Sequence, residues 1–342
     1  MINYFFIKML LLLCLIVSVV SHWEPCPCSA YQELIPGADV LAGGFDVTQL
    51  STIDDRSFKS PIFSYHNPTT RCLQSTLGGR CYLVPFELTP YDLDITFLES
   101  VNGIYSSSNE YLNTYSESYD SSFGIKTPYI GSSYNYHKSL YDSNYYFSNS
   151  YVNQGFGYYV EYLYTMTMPP AYVLTLDYIF KLSLDMLPSN ITNDSDNKKY
   201  NEFLSSYGGY YLNSIILGGK FHLNQYTDEY ITTKYSQGWE SEQMGITFKS
   251  TMFEMETGHS SNSSEYQNSQ DYVAHSNSLL YCFGGNVNLA CASNEWMLSI
   301  VNYPGYLNIT YAPLYTLIYD DQDKSDNLKM KTDFYSKYGY YQ

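Results

Sequence analysis

The chain is poor in charge and in chemistry-bearing motifs. Charged residues make up 15% of its 342 positions, and 34 acidic residues against 17 basic ones give a net charge of −17. That balance argues against a basic nucleic-acid-binding face and against simple electrostatic attraction to anionic lipid. Histidines are few and scattered (His22, His66, His137, His222, His259 and His275), and none stands at metal-ligand spacing from a cysteine. There is no G-x-S-x-G elbow, no H-E-x-x-H, no P-loop and no G-x-G-x-x-G. The carboxylate pairs Asp54-Asp55 and Asp320-Asp321 read as solvated loop charges, and Asp320, Asp321 and Asp323 do not follow the EF-hand pattern. The sequence therefore nominates no catalytic residue, no metal ligand and no cofactor, and it reads as a non-enzyme. Long apolar runs are also missing: beyond residue 20 no stretch suffices for a membrane-spanning helix. The polar end, Lys337-Tyr-Gly-Tyr-Tyr-Gln342, encodes no lipid-anchor tail.

What is present points to secretion. Lys8 precedes the apolar run Met9 to Val20, too short to span a bilayer and suited to a signal peptide over 1–21, with Ser21 at the cleavage site and Val19 at its −3 position. A signal anchor is the alternative. Removing that segment takes away Lys8 and Cys14, which moves the net charge to −18 and leaves Cys26, Cys28, Cys72, Cys81, Cys282 and Cys291. An even number of cysteines in a secreted chain points to disulfides. Cys72/Cys81 and Cys282/Cys291 are each close enough in sequence to staple a local loop. Cys26 and Cys28 then need other partners or each other, and six cysteines allow about 15 connectivities. Sequons at Asn190, Asn193, Asn262 and Asn308 agree with secretion; Asn67 is excluded by Pro68. Tyrosine is abundant, with 41 residues, and suits half-buried strands and water–lipid boundaries.

Along the chain, residues 22–38 form a cysteine-bearing lead-in to a domain over 39–342. Short apolar runs over 39–100 read as strands and loops. Residues 104–160 are dominated by Tyr, Ser and Asn and show neither a helical stripe nor a strand pattern. Leu176, Ile179, Phe180, Leu184 and Leu187 recur at helical spacing until Pro188. Tyr200, Phe203, Leu204 and Tyr207 fall at i, i+3, i+4 and i+7 and predict a second helix. Tyr210 to Leu217 reads as a strand apolar on both faces, hence central in a sheet, closed by Gly218-Gly219. Residues 225–280 form a second polar segment, in which Met244, Ile246 and Phe248 alternate with polar or small neighbours. Trp296 to Val301 reads as a strand, and Pro313 starts a short helix through Leu314, Leu317 and Ile318. Tyr207 and Trp296 read as core.

The stretch Phe203-Leu-Ser-Ser-Tyr-Gly-Gly-Tyr-Tyr-Leu-Asn-Ser-Ile-Ile-Leu-Gly-Gly219 resembles the signature of the membrane-attack-complex/perforin (MACPF) family. That signature has an aromatic, then Tyr-Gly-Thr-His-Tyr, then a strand ending in Leu-Gly-Gly. Tyr207, Gly208, Tyr211, Leu217, Gly218 and Gly219 match it, while Gly209 and Tyr210 replace Thr-His. Flanking features follow in the family's order: Leu41-Ala-Gly-Gly-Phe-Asp46, Leu187-Pro188, Gly284-Gly285, Trp296, Pro304 and Pro313 to Leu317. The resemblance covers about residues 40–338.

This resemblance implies an α+β fold like that of MACPF proteins and cholesterol-dependent cytolysins: a bent, twisted four-stranded antiparallel sheet flanked by two helical clusters. It implies a homo-oligomeric ring or arc on membrane lipid, each cluster unfolding into a β-hairpin of a shared barrel. The polar segments at about 104–170 and 225–280 stand where those clusters belong. A membrane strand needs about 9–11 residues, so both are long enough for a hairpin. Met244, Ile246 and Phe248 are lipid-facing candidates, with burial in the soluble form as the other reading. Gly218, Gly219, Gly284 and Gly285 are hinge candidates near the sheet's bend. The expected function is pore formation by a secreted protein; the alternative is a non-lytic relative acting in adhesion or signalling.

Overall fold

A computed structural model describes residues 23–28, 32–46, 58–65, 70–75, 79–107, 151–260 and 263–338. The expected signal peptide, Asn262 and residues 108–150 of the first polar segment lie outside them. From the N-terminus come β1 (Trp23–Pro25), the short helix α1 (Ala38–Ala42), β2 (Gly43–Phe45), β3 (Phe58–Pro61), β4 (Thr70–Ser75) and β5 (Cys81–Pro85). Strands β1, β4 and β5 form a small antiparallel sheet in that order. Three disulfides pair the six cysteines: Cys26–Cys81, Cys28–Cys72 and Cys282–Cys291. The local Cys72–Cys81 staple suggested by spacing is not formed. The register of β4 on β5 sets Cys72 opposite Leu83 and Cys81 opposite Gln74. The lead-in runs beside β4, with the Cys26 N–H donating to the Cys72 carbonyl at 3.1 Å, and so supplies the partners.

Four long strands follow. They are β6 (Thr89–Tyr105), β7 (Tyr151–Thr167), β8 (Tyr210–Asp228) and β9 (Ser276–Phe283), antiparallel neighbours in the order β6-β7-β8-β9. The expected four-stranded sheet is thus present within a seven-stranded one, because β2, β3 and β10 (Gly305–Pro313) extend it. Residues 151–167 of the first polar segment belong to β7, a central strand. Their tyrosines alternate between faces: Tyr159 and Tyr164 join the main core, while Tyr158 and Tyr162 pack on the other side with Phe156 and Val160.

Between β7 and β8 stand α2 (Tyr178–Asp185) and α3 (Asp194–Tyr207). Both follow their sequence signals. Asp177 caps α2, accepting from the Ile179 and Phe180 N–H groups, and Asn193 caps α3 by accepting from Asp196. Tyr200, Phe203, Leu204 and Tyr207 are all buried, and Phe180 meets Tyr207 edge-on with ring centroids 5.0 Å apart.

Between β8 and β9 stand α4 (Glu229–Lys234), α5 (Gln237–Thr257) and α6 (Gln270–Ala274). Here Met244, Ile246 and Phe248 lie on a helix. Ser236 caps α5, accepting from the Trp239 N–H. Met244, Phe248, Met252 and Met255 then recur near one face and are buried against the sheet, so the two-residue alternation is overridden by a helical stripe. Trp296 to Val301 is corrected in the same way. It holds helix α7 (Asn294–Ser299), capped by Ser293, with Trp296 and Ile300 buried one turn apart. Pro313 precedes a 3-10 turn over Leu314–Leu317, and α8 (Gln322–Tyr338) closes the fold.

Peptide mapping of the unreduced protein is expected to recover Cys26–Cys81 and Cys28–Cys72 linkages; a Cys72–Cys81 peptide would contradict the fold. Phe203→Ala is expected to cost about 3–5 kcal/mol in denaturant unfolding.

Candidate functional site

β8 does not stop at Gly218-Gly219 but continues to Asp228. One of its edges pairs with β2 at Tyr211 and with β7 from Ser214 onward. The other pairs with β10 as far as Gly218 and with β9 from Lys220. Polar side chains at Lys220, His222 and Asn224 do not end the strand, because partners on both edges satisfy its backbone. The partner exchange at Gly218-Gly219 coincides with a register shift on β7 between Tyr162 and Tyr164.

Close approach explains the glycines there. A Cβ on Gly218 would fall 1.9 Å from the Glu161 carbonyl oxygen, and one on Gly219 would fall 2.3 Å from Ile300 Cδ1. Gly284 and Gly285 both have φ above +70°. A Cβ on Gly284 would meet the Gly218 oxygen at 2.4 Å, and one on Gly285 would meet Trp296 Nε1 at 2.4 Å. The Trp296 indole N–H donates to the Gly284 carbonyl at 2.9 Å, and the Cys282–Cys291 disulfide closes the same loop. Gly305, which the sequence did not single out, completes the joint: its Cβ would lie 2.7 Å from Gly284 N. The four hinge candidates therefore meet at one place.

The other signature residues serve the core. Tyr207 packs on Phe180 and Phe203 and shares a hydrogen bond with Ser183. Gly208, at φ +71°, passes within 2.3 Å (for a built Cβ) of the Phe45 oxygen. Tyr211 meets Phe63, and Leu217 is buried. The Gly209-Tyr210 departure has a local use, since Gly209 leaves room for Thr332 of α8 and the Tyr210 hydroxyl meets Ser336 at 2.9 Å.

A second constellation fastens α5 to the sheet. Phe248 lies in a notch at Gly157, where a Cβ would sit 2.4 Å from the Phe248 ring, and it packs on Phe221. Met244 is buried and Ile246 half-buried beside it. Buried Glu240 accepts from Asn153 Nδ2 at 2.9 Å and from the Thr227 hydroxyl. Gln225 Nε2 donates to the Met244 carbonyl at 2.8 Å and its Oε1 accepts from Tyr272 at 2.9 Å. No local pattern announces this polar latch, because its partners are far apart in sequence.

On the opposite face of β8, Lys220 and His222 are buried. Burial lowers the Lys220 pKa from its ordinary 10.5 to about 7. Burial, then the Lys220 charge, holds His222 well below the usual imidazole range. Among the sequons, Asn190 and Asn193 are exposed and Asn308 is half-buried on β10. Among the described residues, no group of three or more His, Cys, Asp or Glu is placed to hold a metal ion, and no helix is long and apolar enough to cross a membrane.

A family model described as the MAC/Perforin domain matches residues 34–342. The chain belongs to the MAC/Perforin domain family. GNIP1Aa from Chromobacterium piscinae is similar in fold, with a TM-score of 0.58 at 16% identity over 90% of this chain. The chain spans 57% of GNIP1Aa's length. Astrotactin-2, described as a vertebrate-specific, perforin-like membrane protein involved in neuronal development, matches over 88% of this chain and 99% of its own. Its TM-score is 0.46 at 12% identity. A search of curated proteins finds none that matches the sequence. The MAC/Perforin match begins inside the lead-in and takes in the joint, the latch and all four long strands.

Two measurements check this MAC/Perforin site. Gly218→Ala is expected to lose about 1–3 kcal/mol by overpacking. Gly245→Ala is the control: it sits on α5 with nothing within 4 Å of its Cβ and should be neutral or slightly stabilising. The unfolded chain holds a proton on Lys220 over the range from about 7 to 10.5 where the folded chain does not, so stability rises with pH across that window. Lys220→Met is expected to flatten the rise, by up to about 1.4 kcal/mol per pH unit, in urea unfolding.

Proposed function

We propose that this is a secreted, perforin-like protein, not an enzyme, that forms a homo-oligomeric ring or arc on membrane lipid and inserts β-hairpins as a pore. The observation that carries this reading is the common exit of two long connections. Tyr105 of β6 pairs with Gln154, Tyr151 of β7 pairs with Asp228, and Thr227 of β8 pairs with Ser276 of β9. Residues 106–150 and 229–275, nearly equal in length, therefore both leave from one end of one antiparallel sheet. Extending both would lengthen four strands in register, and each exceeds the roughly 25 residues a membrane hairpin needs. An open sheet in lipid leaves edge groups unpaired, which makes closure by several subunits necessary. Extending the second connection detaches α5, whose hold on the sheet is the Phe248 notch and the Glu240 latch. Met244, Ile246 and Phe248 would then regain their two-residue period and face lipid. Six paired cysteines and the exposed sequons Asn190 and Asn193 support an oxidising, secretory route.

A second reading has an observation of its own. Tyr172, Tyr178, Ile179, Leu182 and Met186 are all exposed, at the sheet end opposite the two connections. An apolar strip of that kind suits protein contact, which favours non-lytic adhesion or signalling.

Dye release from liposomes, with particle imaging, separates the two. Leakage with rings or arcs supports the pore, whereas binding without leakage supports adhesion. A lock tests the mechanism. A Cβ on Gly157 lies 3.0 Å from Phe248 Cγ, so the pair Gly157→Cys and Phe248→Cys falls within a disulfide's Cβ–Cβ reach of about 4.5 Å. The oxidised double variant is expected to bind without leakage and to regain it on mild reduction, with the wild type under the same reductant as control. Full leakage in the oxidised form would overturn the detachment of α5.

A further inference from the structure

A cavity of about 480 Å³ opens at the sheet end from which the two connections leave. Its walls include Asn153 of β7, Glu229 and Thr232 of α4, Tyr235 of the following loop, and Gln237 and Glu240 of α5. Amide, hydroxyl and carboxylate groups alternate there with one aromatic ring. Glu240 is 1% exposed, and its two oxygens are fixed by Asn153 and Thr227. Tyr235 is backed by Trp239, stacked at 3.8 Å, which holds the ring in place.

The charge of the wall narrows the ligand. Its ionisable carboxyl groups are Glu229 and Glu240, and among the described residues no basic side chain lines it. Lys234 is the nearest cation along α4, but its Nζ is 2.5 Å from Asp271 and it is held over the rings of Tyr230 and Tyr235. Phosphate headgroups and acidic sugars are therefore repelled. The volume far exceeds one metal ion. A neutral ring with hydroxyls on its edge matches the reachable polar groups of the wall, the Glu229 carboxylate, the Thr232 hydroxyl and the Gln237 amide.

We propose that this cavity binds a neutral saccharide. The proposal rests on the pore-forming reading only for its purpose, which is to recognise a glycan at the surface where the connections would enter; the binding itself needs no membrane.

The test uses the purified full-length protein and saturation-transfer NMR with glucose, galactose, mannose, N-acetylglucosamine and lactose, with choline and inorganic phosphate as controls. Saturation transfer to at least one sugar is expected. Gln237→Ala and Glu229→Gln, both at exposed positions, should each weaken it about tenfold while leaving the circular dichroism unchanged. Phosphatidylcholine vesicles with and without galactosylceramide then distinguish a glycolipid from a soluble glycan source. No transfer to any sugar, binding untouched by both variants, or displacement of the sugar by choline would overturn the proposal. Because the readout is binding in solution, its failure is separate from a failure of leakage.

Discussion

Backbone pairing along both edges of β8 sets the position of almost everything else in the sheet. β2 and β7 are laid along one edge, β10 and β9 along the other. Such a strand tolerates side chains that would not otherwise sit in a core, because the ladder meets its backbone demand. It also needs a place where one partner can leave and another arrive. Gly218-Gly219 is that place, and the missing side chains let Glu161 of β7, Leu307 of β10 and Ile300 approach within contact distance.

The two faces of this sheet are built differently. One carries Phe221, Leu223, Gln225 and Thr227 and is covered by α5, partly through apolar contact and partly through the Glu240 latch. The other carries buried Lys220 and His222 among aromatic rings, with Phe156 and Tyr281 flanking His222. A purely apolar seam would hold α5 more firmly than one threaded with amides and a carboxylate. Under the proposed pore-forming reading, in which α5 leaves the sheet, the mixed seam is the easier one to open, and the helix's sequence keeps a two-residue period available for the extended form.

How much was legible in the sequence depended on the range of the signal. α2 and α3 could be read because cap, stripe and stop lie within a few residues of one another, and the signature from Tyr207 to Gly219 fixed the central strand and its glycines. The stretch around Phe248 carried two periods at once, and only the buried face of α5 chose between them. Trp296 to Val301 looked like a strand because its apolar density hid the Ser293 cap and the one-turn spacing of Trp296 and Ile300. The cysteines near the N-terminus offered a short loop, but β-register placed Cys72 and Cys81 beside the lead-in instead of each other.

By itself the sequence determined the family, the α+β class, the helices before β8, the six cysteines beyond residue 21 and the glycine pairs. These are local facts of spacing and residue type, so local physics decides them. The tertiary structure decided which cysteines pair, how far β8 extends, that five glycines converge on one joint, and that Glu240 meets Asn153 across 87 residues of chain. Those outcomes depend on which distant segments come to lie side by side, and no periodicity within one segment can encode that.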